Sequence, residues 1–351
     1  MSEKLDVMVY FHGGVFVFER PLIQRDLRYM AALGNVVLVK MNYRLGAFGF
    51  LYGNHDGAPG NMGLYDQYLA LLFVRDNIHL FGGDPEKITA FGNSAGAMSI
   101  GLMAVQTELF ANIEVYLPVF GDAMLPVHIL TALKRGLFNK DLKLLIGVTP
   151  DEGTSILNTA SPQFFQRDSH RKVSKSDLLS TCNRTFLYTF SKAKLRRIYW
   201  NYMGLLGHTS YLTQRTALSN CIADYFMLCP AHHFAQELNR KGVETYFYLF
   251  DYRTKNSITP PWMGVVHTAE VYYLFGEPFS TNWYTDEERE FSKTIVDIWS
   301  TFARTGQPPK HLRWPKYLWS RPRYLRLNPR KFAPGRGPRE QWCRLWNDPI
   351  K

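Results

Sequence analysis

The chain has 351 residues, 46% hydrophobic and 15% aromatic, with a formal charge of +11. That is a globular composition, long enough for one large domain or two ordinary ones, and it excludes a disordered chain. No apolar run approaches the ~18–20 residues that span a bilayer. The N-terminus, MSEKLDVMVYFHGG, has no basic region followed by an apolar stretch and a cleavage site, so no secretion signal is expected in the chain as written. Four cysteines without C-x-x-C spacing argue against a disulfide scaffold, a zinc site or a thioredoxin-like motif. Neither H-E-x-x-H nor a G-x-x-x-x-G-K-[ST] phosphate loop occurs. His232 and His233 are adjacent in a helical-looking stretch and point in different directions, which speaks against a metal pair. No metal and no cofactor are expected.

In chain order, runs rich in β-branched and aromatic residues predict buried parallel strands at Asp6–Phe11, Val36–Met41, Ile88–Phe91, Lys143–Val148 and Thr245–Phe250, with a short late strand at Tyr324–Leu327. Helices are predicted over Gly63–Ile78, where apolar residues recur at three- and four-residue intervals, and over Ala95–Val105. A third, Glu287–Arg304, opens with acids and closes with Arg304 before Gly306. Strands alternating with helices predict an α/β fold with helices on both faces of a mostly parallel sheet, and 1–351 reads as a single domain. The charge is uneven: between Lys310 and Arg344 lie eleven Lys or Arg and one acid, Glu340. Such a segment would fit an anionic surface (a polyanionic glycan, acidic lipid or nucleic acid). The better-weighted alternative is a solvated, proline-rich tail whose arginines meet acids elsewhere. Its Pro-broken aromatic spacing carries no nucleic-acid-binding signature.

Residues 91–99 read FGNSAGAMS, with Ser94 between two glycines, after a predicted strand and before a predicted helix. That is the context of a nucleophile elbow: the glycines admit a strained, crowded turn, and the helix N-terminus favours developing negative charge. A serine hydroxyl needs a base, and the base an orienting acid, in the chain order serine, acid, histidine. Only Lys143–Val148 leads into acids at a strand end, Asp151 and Glu152. Of the two histidines after Thr245–Phe250, His267 lies in a loop opened by Pro260 and Pro261, and His311 lies in the basic tail. Ser94, Glu152 and His267 form the consistent set.

The blocks VYFHGG, VKMNYRLGAFGFL, APGNMGLYDQYLALLFVRDNIHLFGGDPEKITAFGNSAGAMS, LLIGVTPDEGT, PPWMGVVHTAEVYYLFG and WSTFARTGQPP cover nearly the whole chain. With them the sequence resembles the type-B carboxylesterase and cholinesterase family. The resemblance implies an α/β-hydrolase fold, acyl transfer through Ser94, and Glu152, not Asp151, as the acid beside His267. It implies an oxyanion hole from the N–H groups of Gly14, Val15 and Ala95, and no cofactor. It also implies a disulfide between Cys229 and Cys343, whose contexts CPAHHF and QWCRLWN match the family's C-terminal bridge, leaving Cys182 and Cys221 as thiols. Secretion or attachment outside the cell is the matching expectation, and Asn183, in Asn183-Arg184-Thr185, is the one glycosylation sequon.

Departures from the family pattern carry their own expectations. The third oxyanion-loop glycine is replaced by Val15, whose branched side chain resists unusual backbone geometry, and one lost donor costs roughly 10²–10³ in rate. Ser155 and Ile156 replace an aromatic pair, Asn93 replaces a glutamate, and the region of the main choline-site tryptophan is lacking. A small carboxylic ester is therefore the expected substrate in preference to a choline ester. Around Met103–Val115 the chain is too short to hold a further central strand with its flanking helices. N-terminal strands are lacking too, so the chain reads as truncated. Two functions compete: a serine carboxylic-ester hydrolase, crippled by missing segments, and a non-catalytic adhesion or binding module. Retention of the three triad residues favours the first.

Overall fold

A computed structural model describes residues 3–19, 26–105, 118–160, 176, 180–181, 191–203 and 211–346. Cys182, Asn183 and most of the Met103–Val115 stretch lie outside the described residues. The chain runs through β1 (Leu5–Phe11), α1 (Arg28–Gly34), β2 (Val37–Met41), α2 (Gly46–Phe50), β3 (Tyr52–His55), β4 (Ala58–Pro59), α3 (Met62–Asn77), β5 (Gly83–Gly92) and α4 (Ala95–Val105). It continues through α5 (Ile129–Arg135), β6 (Lys143–Val148), α6 (Glu152–Ala160), α7 (Lys192–Met203), α8 (Tyr211–Ala223), α9 (Cys229–Arg240) and β7 (Glu244–Phe250). Helices α10 (Ala269–Leu274) and α11 (Asp286–Thr305), strands β8 (Arg323–Leu327) and β9 (Ala333–Arg336), and α12 (Glu340–Cys343) complete it.

These elements fall into two compact units. One comprises Met1–Leu144, Lys241–Glu244 and Glu270–Trp314; the other comprises Leu145–Arg240, Thr245–Ala269 and Pro315–Lys351. The first holds a sheet ordered β2-β1-β5, with β1 parallel to both neighbours. Because strand side chains alternate, Val7, Val9 and Phe11 pack on one face against Val74 and Ile78, in and just after α3. On the other face Tyr10 meets the edge of Phe275, at 4.8 Å between ring centroids. β1 is thus buried on both sides, the reason its run is continuously apolar. Helix α11 packs on β1, β5 and α1, and buries Phe291, Ile295, Val296, Ile298 and Trp299. Its N-terminus is fixed by a reciprocal capping box between Thr285 and Glu288, and Gly306 ends it at φ 69°.

The second unit carries the sheet β6-β7-β8-β9, with β7 parallel to β8 and β8 antiparallel to β9. Val148, Phe247, Leu249 and Tyr317 form its core with Ala223, Leu228 and Ala235. A second cluster joins Leu157, Leu195, Ile198, Tyr202, Leu218 and Ile222, with Cys221 buried among them. From Pro315 onward the basic tail belongs to this unit: Arg339 donates to the buried Asp224 at 2.5 and 2.7 Å, and Arg326 lies 3.3 Å from Asp251. A disulfide joins Cys229 to Cys343, 114 residues apart, with Cα atoms 5.2 Å from each other.

Candidate active site

In the first unit, β5 ends at Gly92 and α4 begins at Ala95, so Ser94 occupies the turn between them. Its φ is 54°, in the left-handed region that L-residues enter only under constraint. The constraint comes from the flanking glycines. A Cβ on Gly96 would lie 2.0 Å from the Phe11 carbonyl oxygen and one on Gly92 2.7 Å from the same atom. Backbone therefore stands where side chains would be, and the turn is pressed onto the end of β1.

The loop after β1 lies directly against this turn. A Cβ on Gly13 would meet the Ser94 Cβ at 2.8 Å and the Asn93 carbonyl at 2.7 Å. Gly14 has φ 130°, and its carbonyl accepts from Val17 and Phe18 N–H at 3.0 and 3.1 Å. Val15 and Phe16 follow at φ 49° and 61°, so the loop makes a left-handed run with a β-branched residue in it. The Val15 side chain is 42% exposed, so strain at this position lies in the backbone and not in crowding. Ala95, first residue of α4, offers one of the N–H groups that a helix start leaves without an intrahelical acceptor.

Side chains that carry no motif of their own hold this loop. His12 is buried and stacks on Tyr43 at 4.3 Å, its Nδ1 lies 2.9 Å from the Gly13 carbonyl, and the Tyr43 hydroxyl donates to the His12 carbonyl at 2.8 Å. Burial pushes the Tyr43 hydroxyl pKa well up, so it stays a donor. The Tyr10 hydroxyl donates to Asn93 Oδ1 at 2.5 Å, which places Asn93 in a supporting role beside Ser94. The one available signal was position: His12 immediately precedes Gly13-Gly14 and Asn93 immediately precedes the serine.

In the second unit, Glu152 is the buried first residue of α6, just past β6. Its Oε1 accepts from Thr149 N–H at 2.7 Å and its Oε2 is hydrogen-bonded to His267 Nδ1. The neighbouring Asp151 faces elsewhere, its Oδ2 accepting from Val265 N–H at 2.9 Å. Burial raises the Asp151 pKa, and that hydrogen bond opposes the rise. Among the described residues no group of His, Cys, Asp and Glu is arranged to hold a metal, and no helix is long and apolar enough to cross a membrane.

A serine in a left-handed turn between a parallel strand and a helix marks the α/β-hydrolase class. The model of the carboxylesterase family matches residues 1–112 and 106–346, and the chain belongs to that family. It is 30% identical to an acetylcholinesterase of Bungarus fasciatus, over 97% of this chain and 68% of that protein. Acetylcholinesterases of Leptinotarsa decemlineata and Danio rerio are each 29% identical over 98% of this chain, covering 67% and 72% of their own lengths. These alignments run over 418, 427 and 457 residues, longer than the 351-residue chain, so each relative has residues without a counterpart here.

Proposed function

We propose that the chain derives from a serine carboxylic-ester hydrolase acting through an acyl-enzyme, with Ser94 as nucleophile, His267 as base and Glu152 as the acid that orients it. The observation that carries this reading is Ser94 itself: a non-glycine residue held at φ 54° by glycines with no room for a Cβ. Such strain persists only where the surrounding structure over-determines it, and at an elbow it presents the hydroxyl. With Nδ1 committed to Glu152, His267 Nε2 is the nitrogen that would take the serine proton and later return it to the leaving alcohol. The N–H groups of Gly14, Val15 and Ala95 would receive the oxyanion. One family model matches segments of both compact units, and we read 1–351 as a single domain.

The substrate we assign is a small carboxylic ester. The relatives are named for acetylcholine hydrolysis, but Ser155 and Ile156 offer no aromatic face for a quaternary ammonium. We further propose that a family segment is missing at the seam near 103–115 and that the chain as it stands turns over esters poorly. Two observations support this: the family matches meet and overlap at 106–112, and the alignments outrun the chain. The test is labelling with a fluorophosphonate. Ser94 is the serine expected to react, and Ser94→Ala and His267→Ala are each expected to abolish the label. Labelling that persists in Ser94→Ala removes Ser94 from the mechanism. Disulfide formation between Cys229 and Cys343 supports an oxidising compartment, and we assign the chain to the secretory route.

A further inference from the structure

The loop that carries His267 is held by a residue with no part in the proton transfers. Asp151 and Val266 form a parallel bridge, Asp151 Oδ2 accepts from Val265 N–H at 2.9 Å, and Thr154 Oγ1 lies 3.1 Å from the Met263 carbonyl and 2.8 Å from the Asp151 carbonyl. Gly264 stands at φ 61°, and a Cβ there would fall 2.1 Å from Asp151 Oδ2. The glycine thus serves as the gap through which the carboxylate reaches the loop. Three of the four residues from Met263 to Val266 are therefore tied to the stretch Asp151–Thr154, with Gly264 the gap between them, and His267 is next in sequence. Glu152 sits within that same stretch. The two partners of the acid–imidazole bond are consequently fixed by one small frame.

We infer that Asp151 is a positioning residue, whose carboxylate, with the Thr154 hydroxyl, sets the register of the 263–267 loop so that His267 Nδ1 faces Glu152. The inference rests on the reading of His267 and Glu152 as base and acid. It assigns the two acids of the Asp151-Glu152 pair different work: Glu152 touches the imidazole, and Asp151 touches only the backbone that aims it. The chemical need is an acceptor oxygen at this place, not a negative charge, because the donor is a neutral amide. Asparagine can therefore replace aspartate here, and alanine cannot. The raised pKa of Asp151, caused mainly by burial, fits a carboxylate kept for its geometry.

The test reads the His267 Nδ1 proton by NMR, which requires no turnover. A proton shared between imidazole and a buried carboxylate resonates far downfield of the amides, and in the unaltered chain such a signal is expected and should vanish in His267→Ala. Asp151→Ala should broaden or abolish it, while Asp151→Asn retains it. In an actively labelling preparation, Asp151→Ala should slow fluorophosphonate labelling by on the order of 10–10²-fold, the scale of a misplaced catalytic group, with Asp151→Asn staying close to the unaltered chain. Thr154→Val, nearly isosteric and the milder test of folding, removes the second tie and should weaken the signal in the same direction. A downfield signal that survives both Asp151→Ala and Thr154→Val overturns the positioning role while leaving the Glu152–His267 pair intact. Absence of the signal from the unaltered chain overturns the acid–base reading and this inference with it.

Discussion

Val15 combines two properties that conflict: a β-branched side chain and a backbone at φ 49°. The left-handed region costs an L-residue roughly 1–2 kcal/mol, whereas glycine enters it freely but loses about 0.5–1 kcal/mol more conformational entropy on folding. The balance favours glycine, so Val15→Gly should stabilise the chain by about 1 kcal/mol. A urea midpoint that rises with an unchanged m-value would check it; an unchanged or lower midpoint would mean the strand-end loop holds Val15 without strain. His232 offers a second residue-scale prediction. Burial, then the neighbouring His233, lowers its pKa from 6.5 to about 4. The folded chain therefore binds fewer protons than the unfolded one between those values. The stability this histidine contributes is complete above about pH 6.5 and is lost as pH falls toward about 4, on the order of 3 kcal/mol in all. Unfolding midpoints at pH 7 and pH 4.5 should converge in His232→Gln relative to the unaltered chain. At this scale the sequence singles out Ser94, Glu152 and His267 as candidates, because each sits in a motif with a directional context. Asn93, His12, Tyr43 and Asp151 were harder to assign, since their work is hydrogen bonding to partners up to 114 positions away, and pair geometry has no local signature.

Elements were legible where burial writes a periodic or continuous apolar pattern. The strand at Lys143–Val148 and the helix at Ala95–Val105 have their expected bounds, and α11 lies one residue beyond each expected end. The expected Ile88–Phe91 strand extends to Gly83–Gly92, because Asp84 to Lys87 are polar edge residues that add no apolar signal. Three strands left no trace in the pattern, one of them the two-residue Ala58–Pro59. Tyr52–His55 is exposed throughout, and Ala333–Arg336 contains Pro334 and Gly335, residues that speak against a strand except at a sheet edge, which is where β9 lies. The tail owes its fold to specific ties: the Cys229–Cys343 disulfide, and a buried network in which Arg339 and the Tyr202 hydroxyl both donate to Asp224 and Trp346 Nε1 donates to Tyr202. Closing a loop between cysteines 114 residues apart should contribute about 4–5 kcal/mol in the chain-entropy treatment. Replacing both cysteines with serine should therefore lower the urea midpoint by the equivalent of several kcal/mol. Loss of less than about 1 kcal/mol would show that the Arg339 network alone holds the tail.

At the scale of the whole molecule, the strands of the described residues belong to separate sheets, with β5 at the end of one and β6 at the end of another. A strand at a sheet end carries a row of N–H and C=O groups that must find water or another chain, and an interior-type sequence such as KLLIGV is poorly suited to that position. Catalytic groups carried by different strands must be held to within a fraction of an ångström of their working positions. Here the two family matches overlap at 106–112, and our proposal is that an internal segment of the family is absent there. On that proposal the chain is expected to show little or no turnover of a short-chain aryl ester, to label slowly with fluorophosphonate and to self-associate through its sheet-end strands. Grafting the corresponding segment of a relative in place of 106–115 should raise turnover by on the order of 10²-fold or more, with the gain abolished by Ser94→Ala. Size-exclusion chromatography should show the grafted chain less associated than the original. Ordinary esterase turnover by the original chain, lost in Ser94→Ala, would mean that the seam is tolerated and that the catalytic groups are held by other contacts.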